Sequence, residues 1–397
     1  MTRCQSRPPC ILMVAGEASG DNLGAGLLSE LQTRFPGLES YGVGGTRMQA
    51  HGFSTLCDMN ELSVIGLIEV VRRLPRLIQR HRQLVALLEQ RRPDLLITID
   101  LPDFNFLLAR QAQRLAIPRI HYVGPQVWAW RSGRIRKLAA LLDHLLVLFP
   151  FETGIYAGSG LPVTFVGHPL ATQSAPDPTA RLRLRQELGL APDERLLLLL
   201  PGSRVSEIRR HLEIMVAASR QVVESHPQVR CVLAMADTLN ATLFDEVMAT
   251  ADAQTRTFFA RIRMQQGMTG ALLAAADVAM VCSGTVTLEA ALIGTPMTVL
   301  YRVHPLTYAI GRRVIQVAHI ALPNLVAGHT LVPERIQQEA TPDRLAADVA
   351  ALLGDGVSAA RQQAGFNTIR AQLAQPVHRP AEVVADWLKR LGFADNP

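Results

Sequence analysis

The sequence predicts an α/β protein built as two Rossmann-like, doubly wound domains facing each other across a cleft. Three observations carry this. Short, continuously apolar runs alternate with longer amphipathic stretches along most of the chain, the pattern of buried parallel strands covered by helices on both faces. A chain of 397 residues is too long for one ordinary core. A stretch rich in turn formers and lacking apolar periodicity interrupts the alternation near residues 167–179.

In chain order, the predicted strands before the break are Cys10–Ala15, Leu95–Ile99, Ile117–Val123, Leu145–Leu148 and Val163–Val166. Amphipathic periodicity predicts helices over Leu23–Phe35 and Arg76–Arg91. After the break come strands Leu196–Leu200, Val229–Ala234, Val278–Cys282 and Met297–Leu300, with helices over Val205–Glu224 and Leu288–Ile293. The expected division is a first domain over 1–168, a linker over 169–180, a second domain over 181–375, and a C-terminal helix over 376–397 packing back on the first domain. Nothing repeats at solenoid spacing.

Composition narrows the function. An apolar fraction of 48% against 19% charged residues excludes a mainly disordered chain. The net charge of +6 is concentrated: Arg72 to Lys137 holds fourteen basic residues against Glu89, Asp94, Asp100 and Asp103. Lys137 and Lys389 are the only lysines, so the positive charge is arginine, whose planar fork suits phosphate. Aromatic residues make up 5% without basic–aromatic interleaving, so no nucleic-acid partner is expected. Five cysteines without a CxxC pair and eleven histidines without an HxH or HxxxH pair argue for a reducing, cytoplasmic setting and against a metal site. No run approaches 18 uninterrupted apolar residues, so no transmembrane helix is expected.

Four turns at strand ends carry candidate chemistry. The first strand runs into Gly16-Glu17-Ala18-Ser19-Gly20-Asp21, small residues that let a ligand approach the backbone at a helix start. This is neither GxGxxG nor a Walker loop. Asp21 fits an N-cap, whereas Glu17 sits at a strand mouth where a substrate belongs. Leu95–Ile99 ends in Asp100-Leu101-Pro102-Asp103-Phe104-Asn105. Asp100 is placed as a base for a hydroxyl, and Asp103 fits a helix cap. In the second half, Pro201-Gly202-Ser203-Arg204 offers N–H groups and a cationic fork to a phosphate. Ser283-Gly284-Thr285 opens a helix whose N–H groups suit a diphosphate, with Glu289 one turn on to accept from ribose hydroxyls.

A fifth segment reads differently. Seven of the ten residues Leu62–Val71 are apolar, Pro75 is expected to break the chain and start a second helix, and seven arginines lie between Leu62 and Arg92 against Glu69 and Glu89. A broad apolar face with an arginine rim, here Val64, Ile65, Leu67 and Ile68 with Arg72, Arg73 and Arg76, fits a helix lying in an anionic membrane interface. The competing reading is a core helix pair with a solvated rim.

The Ser283-Gly284-Thr285…Glu289 constellation resembles the nucleotide-sugar signature of two-domain GT-B glycosyltransferases. With Gly16–Asp21, Ile99–Asn105, His121–Arg131, Leu200–Arg204 and Leu322-Pro323-Asn324-Leu325 in the same order, the chain resembles the lipid-A-disaccharide synthase family. That resemblance implies an inverting transfer from UDP-2,3-diacylglucosamine to 2,3-diacylglucosamine 1-phosphate, giving a β(1→6) disaccharide 1-phosphate and UDP. It implies Asp100 as base, with Glu17 orienting the acceptor or serving as the base itself. It implies substrate contacts from Ser19, Gly20, Asp103, Asn105, Gly202, Ser203, Arg204, Ser283, Gly284, Thr285, Glu289 and Asn324. It further implies no metal or cofactor, peripheral association with the inner membrane, and a homodimer. Another UDP-sugar enzyme of the same fold, such as an epimerase or a soluble-acceptor transferase, is the alternative.

Overall fold

The computed structural model describes residues 7–62, 67–125, 135–172, 177–304, 308, 318–354 and 356–396. The chain divides into two compact units, Met1–Pro169 with Gln375–Pro397, and Leu170–Ala374.

The first unit is a seven-stranded sheet with parallel pairing throughout, in the order β3-β2-β1-β4-β5-β6-β7. Its strands are β1 Cys10–Ala15, β2 Glu39–Val43, β3 Ser54–Thr55, β4 Leu95–Ile99, β5 Arg119–Tyr122, β6 His144–Val147 and β7 Val163–Phe165. The second unit is a six-stranded parallel sheet, β10-β9-β8-β11-β12-β13. Its strands are β8 Arg195–Leu200, β9 Val229–Met235, β10 Arg263–Gln266, β11 Val278–Cys282, β12 Met297–Tyr301 and β13 Glu334–Ile336. Both orders follow the Rossmann pattern, in which the chain winds outward from a central strand and then returns to that strand's other side. The predicted α/β class, with two Rossmann-like doubly wound units, is therefore the observed one.

The central strands β1, β4, β8 and β11 are the apolar runs: β1, β4 and β11 are buried throughout, and β8 in all but Arg195. They are covered on two faces, which is why they read as continuous rather than alternating. Four strands escape sequence detection: β2, β3, β10 and β13. The last three lie at sheet edges and are short or polar. β2 contains Gly42 at φ +139, where a Cβ would lie 2.0 Å from the Met13 carbonyl oxygen. That close approach requires glycine, and glycine disguises the strand. Gly42→Ala is therefore expected to destabilise the first unit by about 3 kcal/mol or more, read as a lowered denaturant midpoint with an unchanged slope.

One helical expectation is corrected. Pro75 does not start a new helix: a single helix runs from Leu67 to Arg91 with Pro75 inside it. A proline removes one backbone hydrogen bond, and packing of the helix's second half against the sheet outweighs that loss. Leu84 and Leu88 are fully buried there, in one cluster with Leu12, Val14 and Leu96. Residues 63–66, including Val64 and Ile65, lie outside the described residues, as do the side chains of residues 67–73 (Leu67, Ile68, Arg72 and Arg73 among them).

The C-terminal helix Pro380–Arg390 belongs to the first unit. Val384, Ala385 and Leu388 join Leu27, Leu31 and Phe35 in its core. The Trp387 indole N–H donates to His144 Nδ1 at 3.0 Å, and Asp395 is paired with Arg34.

Candidate functional site

In the first unit the winding reverses between β1 and β4, and ligands of such sheets bind outside the strand ends at that switch. Ala15 pairs in register with Ile99, so the loop carrying Glu17 and the turn carrying Asp100 flank the switch together. Gly16 makes the approach feasible, since a Cβ there would lie 1.8 Å from Leu101 Cδ1.

The turn after β4 is strained. Asp100 (φ +53) and Leu101 (φ +45) are consecutive non-glycine residues in the left-handed region, and Val123 (φ +76) just beyond β5 is a third. Each such residue costs on the order of 1–3 kcal/mol and persists only where its surroundings enforce it, most often at functional sites. Here the β4–β5 ladder continues one residue past the strand, with the Asp100 N–H donating to the Tyr122 carbonyl at 2.9 Å. The Asp100 carboxylate accepts from the Leu101 N–H at 2.9 Å through Oδ1. Burial pushes the Asp100 carboxyl above its ordinary value, and the Leu101 N–H partly opposes this. A partly shielded carboxylate of raised pKa is a competent proton acceptor.

Other residues expected near this site fall in several places. Glu17 is half-buried at the head of the Ala18–Arg34 helix. Ser19 is exposed on that helix's first turn, as Asp103 is on the Pro102–Arg114 helix. Gly20 is buried, and a Cβ there would lie 3.3 Å from Ala15 Cβ, so the missing side chain lets the helix pack closely on β1. Asp21 is not the cap of its own helix. Its carboxylate accepts from the N–H groups of Gly45, Arg47 and Met48 at 2.8–3.1 Å, capping a neighbouring turn. Asn105 is fully buried and does not reach a substrate surface. Its amide donates to the carbonyls of Asp100 at 2.6 Å and Ile99 at 3.3 Å.

The second unit repeats the arrangement between β8 and β11, where Leu200 pairs with Val281. Pro201–Arg204 follows β8 and Ser283–Thr285 follows β11, so both expected phosphate turns flank this switch. The first is not an open cradle. Glu207 accepts from the N–H groups of Ser203 at 2.9 Å and Arg204 at 3.2 Å, and its other oxygen takes the Arg204 guanidinium at 3.0 Å. The acid three residues into the helix is a capping signal that the sequence carried. Gly202 (φ +130) is needed because a Cβ would lie 2.5 Å from Glu207 Cβ. What this loop offers a ligand is the Arg204 side chain, 60% exposed, with the exposed Ser203 beside it. His211, unanticipated from sequence, ties the loop down. It is fully buried, Nδ1 donates to the Pro201 carbonyl at 2.9 Å, and Nε2 accepts from the Arg302 N–H at 2.9 Å. Burial lowers its pKa, so it serves as a neutral bridge between the ends of β8 and β12.

The second turn is open. Gly284 and Thr285 are exposed at the start of the Thr285–Ile293 helix. Gly284 has nothing within 4 Å of where a Cβ would stand. The helix start thus presents N–H groups and positive dipole without a side-chain cap. The Ser283 hydroxyl donates to the Ile320 carbonyl at 3.0 Å. Asn324, expected to touch the donor, is fully buried with its amide committed. It donates to the Val332 carbonyl and Glu334 and accepts from the N–H groups of Leu331 and Val332. Glu334 in turn holds the Ile320 N–H, so Asn324 shapes the loop that anchors Ser283.

Glu289 is half-buried against Gly270, where a Cβ would lie 3.1 Å from its Oε1. It lines a cavity of about 320 Å³ together with Ala274, Ile293, Arg181 and Arg370, at the lower end of small-molecule pockets. Burial raises its pKa. Among the described residues no group of three or more His, Cys, Asp or Glu is arranged to hold a metal.

Comparison with known proteins then bears on the chain as a whole. The family model described as lipid-A-disaccharide synthetase matches residues 11–387. A lipid-A-disaccharide synthase of Anaeromyxobacter dehalogenans is 40% identical over 366 residues, covering 92% of this chain and 94% of the relative. Among solved structures, the UDP-GlcNAc 2-epimerase of Neisseria meningitidis bound to UDP-GlcNAc is similar with a TM-score of 0.62 at 13% identity, covering 96% of this chain and all of that one. A glycosyltransferase from Rickettsia africae is similar with a TM-score of 0.56 at 11% identity, covering 98% of each. At such identities the structures attest the fold and leave transferase and epimerase undivided. The sequence relatives divide them.

Proposed function

This chain belongs to the lipid-A-disaccharide synthase family and is a glycosyltransferase of the disaccharide-forming step of lipid A synthesis; from that premise we propose how its residues divide the reaction. The donor is UDP-2,3-diacylglucosamine and the acceptor 2,3-diacylglucosamine 1-phosphate. The acceptor 6-hydroxyl oxygen attacks the donor anomeric carbon, the bond from that carbon to the diphosphate oxygen breaks, and UDP leaves with the electron pair. The hydroxyl proton passes to Asp100. One displacement inverts the anomeric centre to β and needs no covalent intermediate.

The second unit takes the donor. The N–H groups at the head of the Thr285–Ile293 helix and the Arg204 guanidinium receive the charge that develops on the diphosphate, and Glu289 accepts from the ribose hydroxyls. Glu17 orients the acceptor at the first unit's switch point. The single observation that carries this reading is Asp100, a shielded carboxylate in a strained turn at the end of a central strand. The test is incubation of the purified protein with both acylated sugars. UDP and a β(1→6) disaccharide 1-phosphate should appear in equal amounts, and epimerised UDP-sugar without disaccharide would refute the assignment.

The substrates are acylated, and the Leu67–Arg91 helix supports a membrane surface as the place of reaction. Leu74 and Ile78, one turn apart, are 46% and 44% exposed, and Arg76 and Arg82 are exposed beside them. Arg80 and Arg91 are tied to Glu61 and Glu39, so the free rim is narrower than the arginine count implies. No described helix is long and apolar enough to cross a membrane. Each basic group near an anionic leaflet contributes about 1 kcal/mol, so vesicles containing anionic lipid should bind the protein at least tenfold more tightly than neutral ones. Equal, weak binding to both would remove this part of the proposal.

A further inference from the structure

We propose that Asn105 is a positioning residue for the transfer, holding the turn that aims the Asp100 carboxylate; this rests on the reading of Asp100 as the base. The left-handed conformations at Asp100 and Leu101 turn the chain sharply at the end of β4, where the Ile99 and Asp100 carbonyls meet the Asn105 side chain. Both carbonyls accept from the one Asn105 amide nitrogen, at 3.3 and 2.6 Å. The Asn105 N–H in turn donates to the Leu101 carbonyl at 3.0 Å, so the same residue closes the first turn of the following helix. Side chain and backbone of Asn105 together grip all three residues of the strained turn.

The orientation of the amide is settled by its surroundings. Reversing it would set Oδ1 against two carbonyl oxygens. As placed, Oδ1 is buried without a hydrogen-bond partner among the described residues. Leaving a buried acceptor unsatisfied is costly and calls for an explanation, and holding the catalytic turn supplies one. Leucine at this position would fill the space without donating, and aspartate would oppose both carbonyls with a carboxylate.

Released from this grip, Asp100 and Leu101 would relax toward ordinary backbone angles, and the carboxylate would swing out toward water. The ionisable groups at this end of the elements around it include Glu17 beyond β1, Asp103 on the following helix, and His121 and Tyr122 on β5, while Arg110, Arg114 and Arg119 lie farther along the same helix and strand. Burial lowers the His121 pKa to about 3, so it stays neutral; burial raises the Tyr122 pKa, so it too stays neutral. Greater hydration of the carboxylate lowers its pKa, so the acid limb of the turnover profile should move to lower pH.

The test is Asn105→Leu, assayed with both acylated sugars across the pH range. The expected result is a kcat lower by about 100-fold, the scale of a misplaced catalytic group, with both KM values within about twofold and the acid limb displaced to lower pH. Lower kcat with an unmoved limb, or a raised KM at unchanged kcat, would overturn the proposal. Should Asn105→Leu fail to fold, Asn105→Ser, which keeps one hydroxyl donor, is read the same way and should lie between wild type and the leucine effect. Asp100→Asn separates the two claims. Near-normal turnover there defeats the base assignment itself, whereas loss of turnover there with an unmoved limb in the Asn105 variant defeats only the positioning role.

Discussion

Asp100→Asn is expected to lower turnover by about a thousandfold, within the range that a general base contributes, while UDP affinity changes less than twofold. The split follows from where the groups lie. Asp100 belongs to the first unit, whereas the proposed nucleotide contacts, Arg204, Gly284, Thr285 and Glu289, all belong to the second. The asparagine side chain keeps an oxygen to accept from the Leu101 N–H, so the strained turn is retained. The fold should not weaken. A carboxyl whose folded pKa is raised costs stability once the pH exceeds its unfolded value, and the neutral amide removes that cost. An unchanged or slightly higher Tm at neutral pH would therefore accompany the lost turnover, excluding unfolding as its cause.

Glu289→Ala should raise the Kd for UDP by about 10- to 100-fold, the worth of one or two hydrogen bonds to a charged acceptor. Its kcat at saturating donor should fall far less. The raised pKa of Glu289 adds a pH dependence. The carboxylate accepts from ribose hydroxyls only when ionised, so wild-type UDP affinity should weaken as pH falls through that raised value, and the alanine variant should not show this. Titration calorimetry with UDP at several pH values reads both. Unchanged affinity in the variant would move the ribose away from the 320 Å³ cavity that Glu289 lines.

The strand ends that carry this chemistry were legible because parallel strands buried on both faces must be continuously apolar. The runs ending at Ala15, Ile99, Leu200 and Cys282 are such strands, and the polar residues just past them fall at the two switch points. Three things were not legible. Edge strands such as Ser54–Thr55 and Glu334–Ile336 lack an apolar run, because only one neighbour pairs with them. Side-chain direction was hidden as well. Asn105 and Asn324 sit in motifs that read as substrate contacts, yet both are fully buried and serve backbone carbonyls and N–H groups. Backbone strain is invisible in residue types, since nothing about Asp100, Leu101 or Val123 announces a positive φ. The Ser203 and Arg204 N–H groups illustrate a fourth difficulty. A helix start that looks free for phosphate can be capped by its own acid, and Glu207, three residues on from Arg204, was the sign of it.

The charge pattern was partly legible. Arginine is dense between residues 72 and 137, but Arg80, Arg91 and Arg119 are neutralised by Glu61, Glu39 and Asp143. Counting cannot tell a paired arginine from an exposed one, and among the described residues of the helix Arg76 and Arg82 are exposed and open to the proposed membrane contact.

The most direct measurement is the pH dependence of kcat at saturating donor and acceptor, run side by side on the wild type and Asp100→Asn. The expected result is a wild-type acid limb whose midpoint lies above the ordinary aspartate value, with turnover rising as pH increases through it, and a small residual rate in the variant without that limb. The same limb in both proteins, or a variant as fast as wild type, would contradict Asp100 as the base and with it the mechanism built on the strained end of β4.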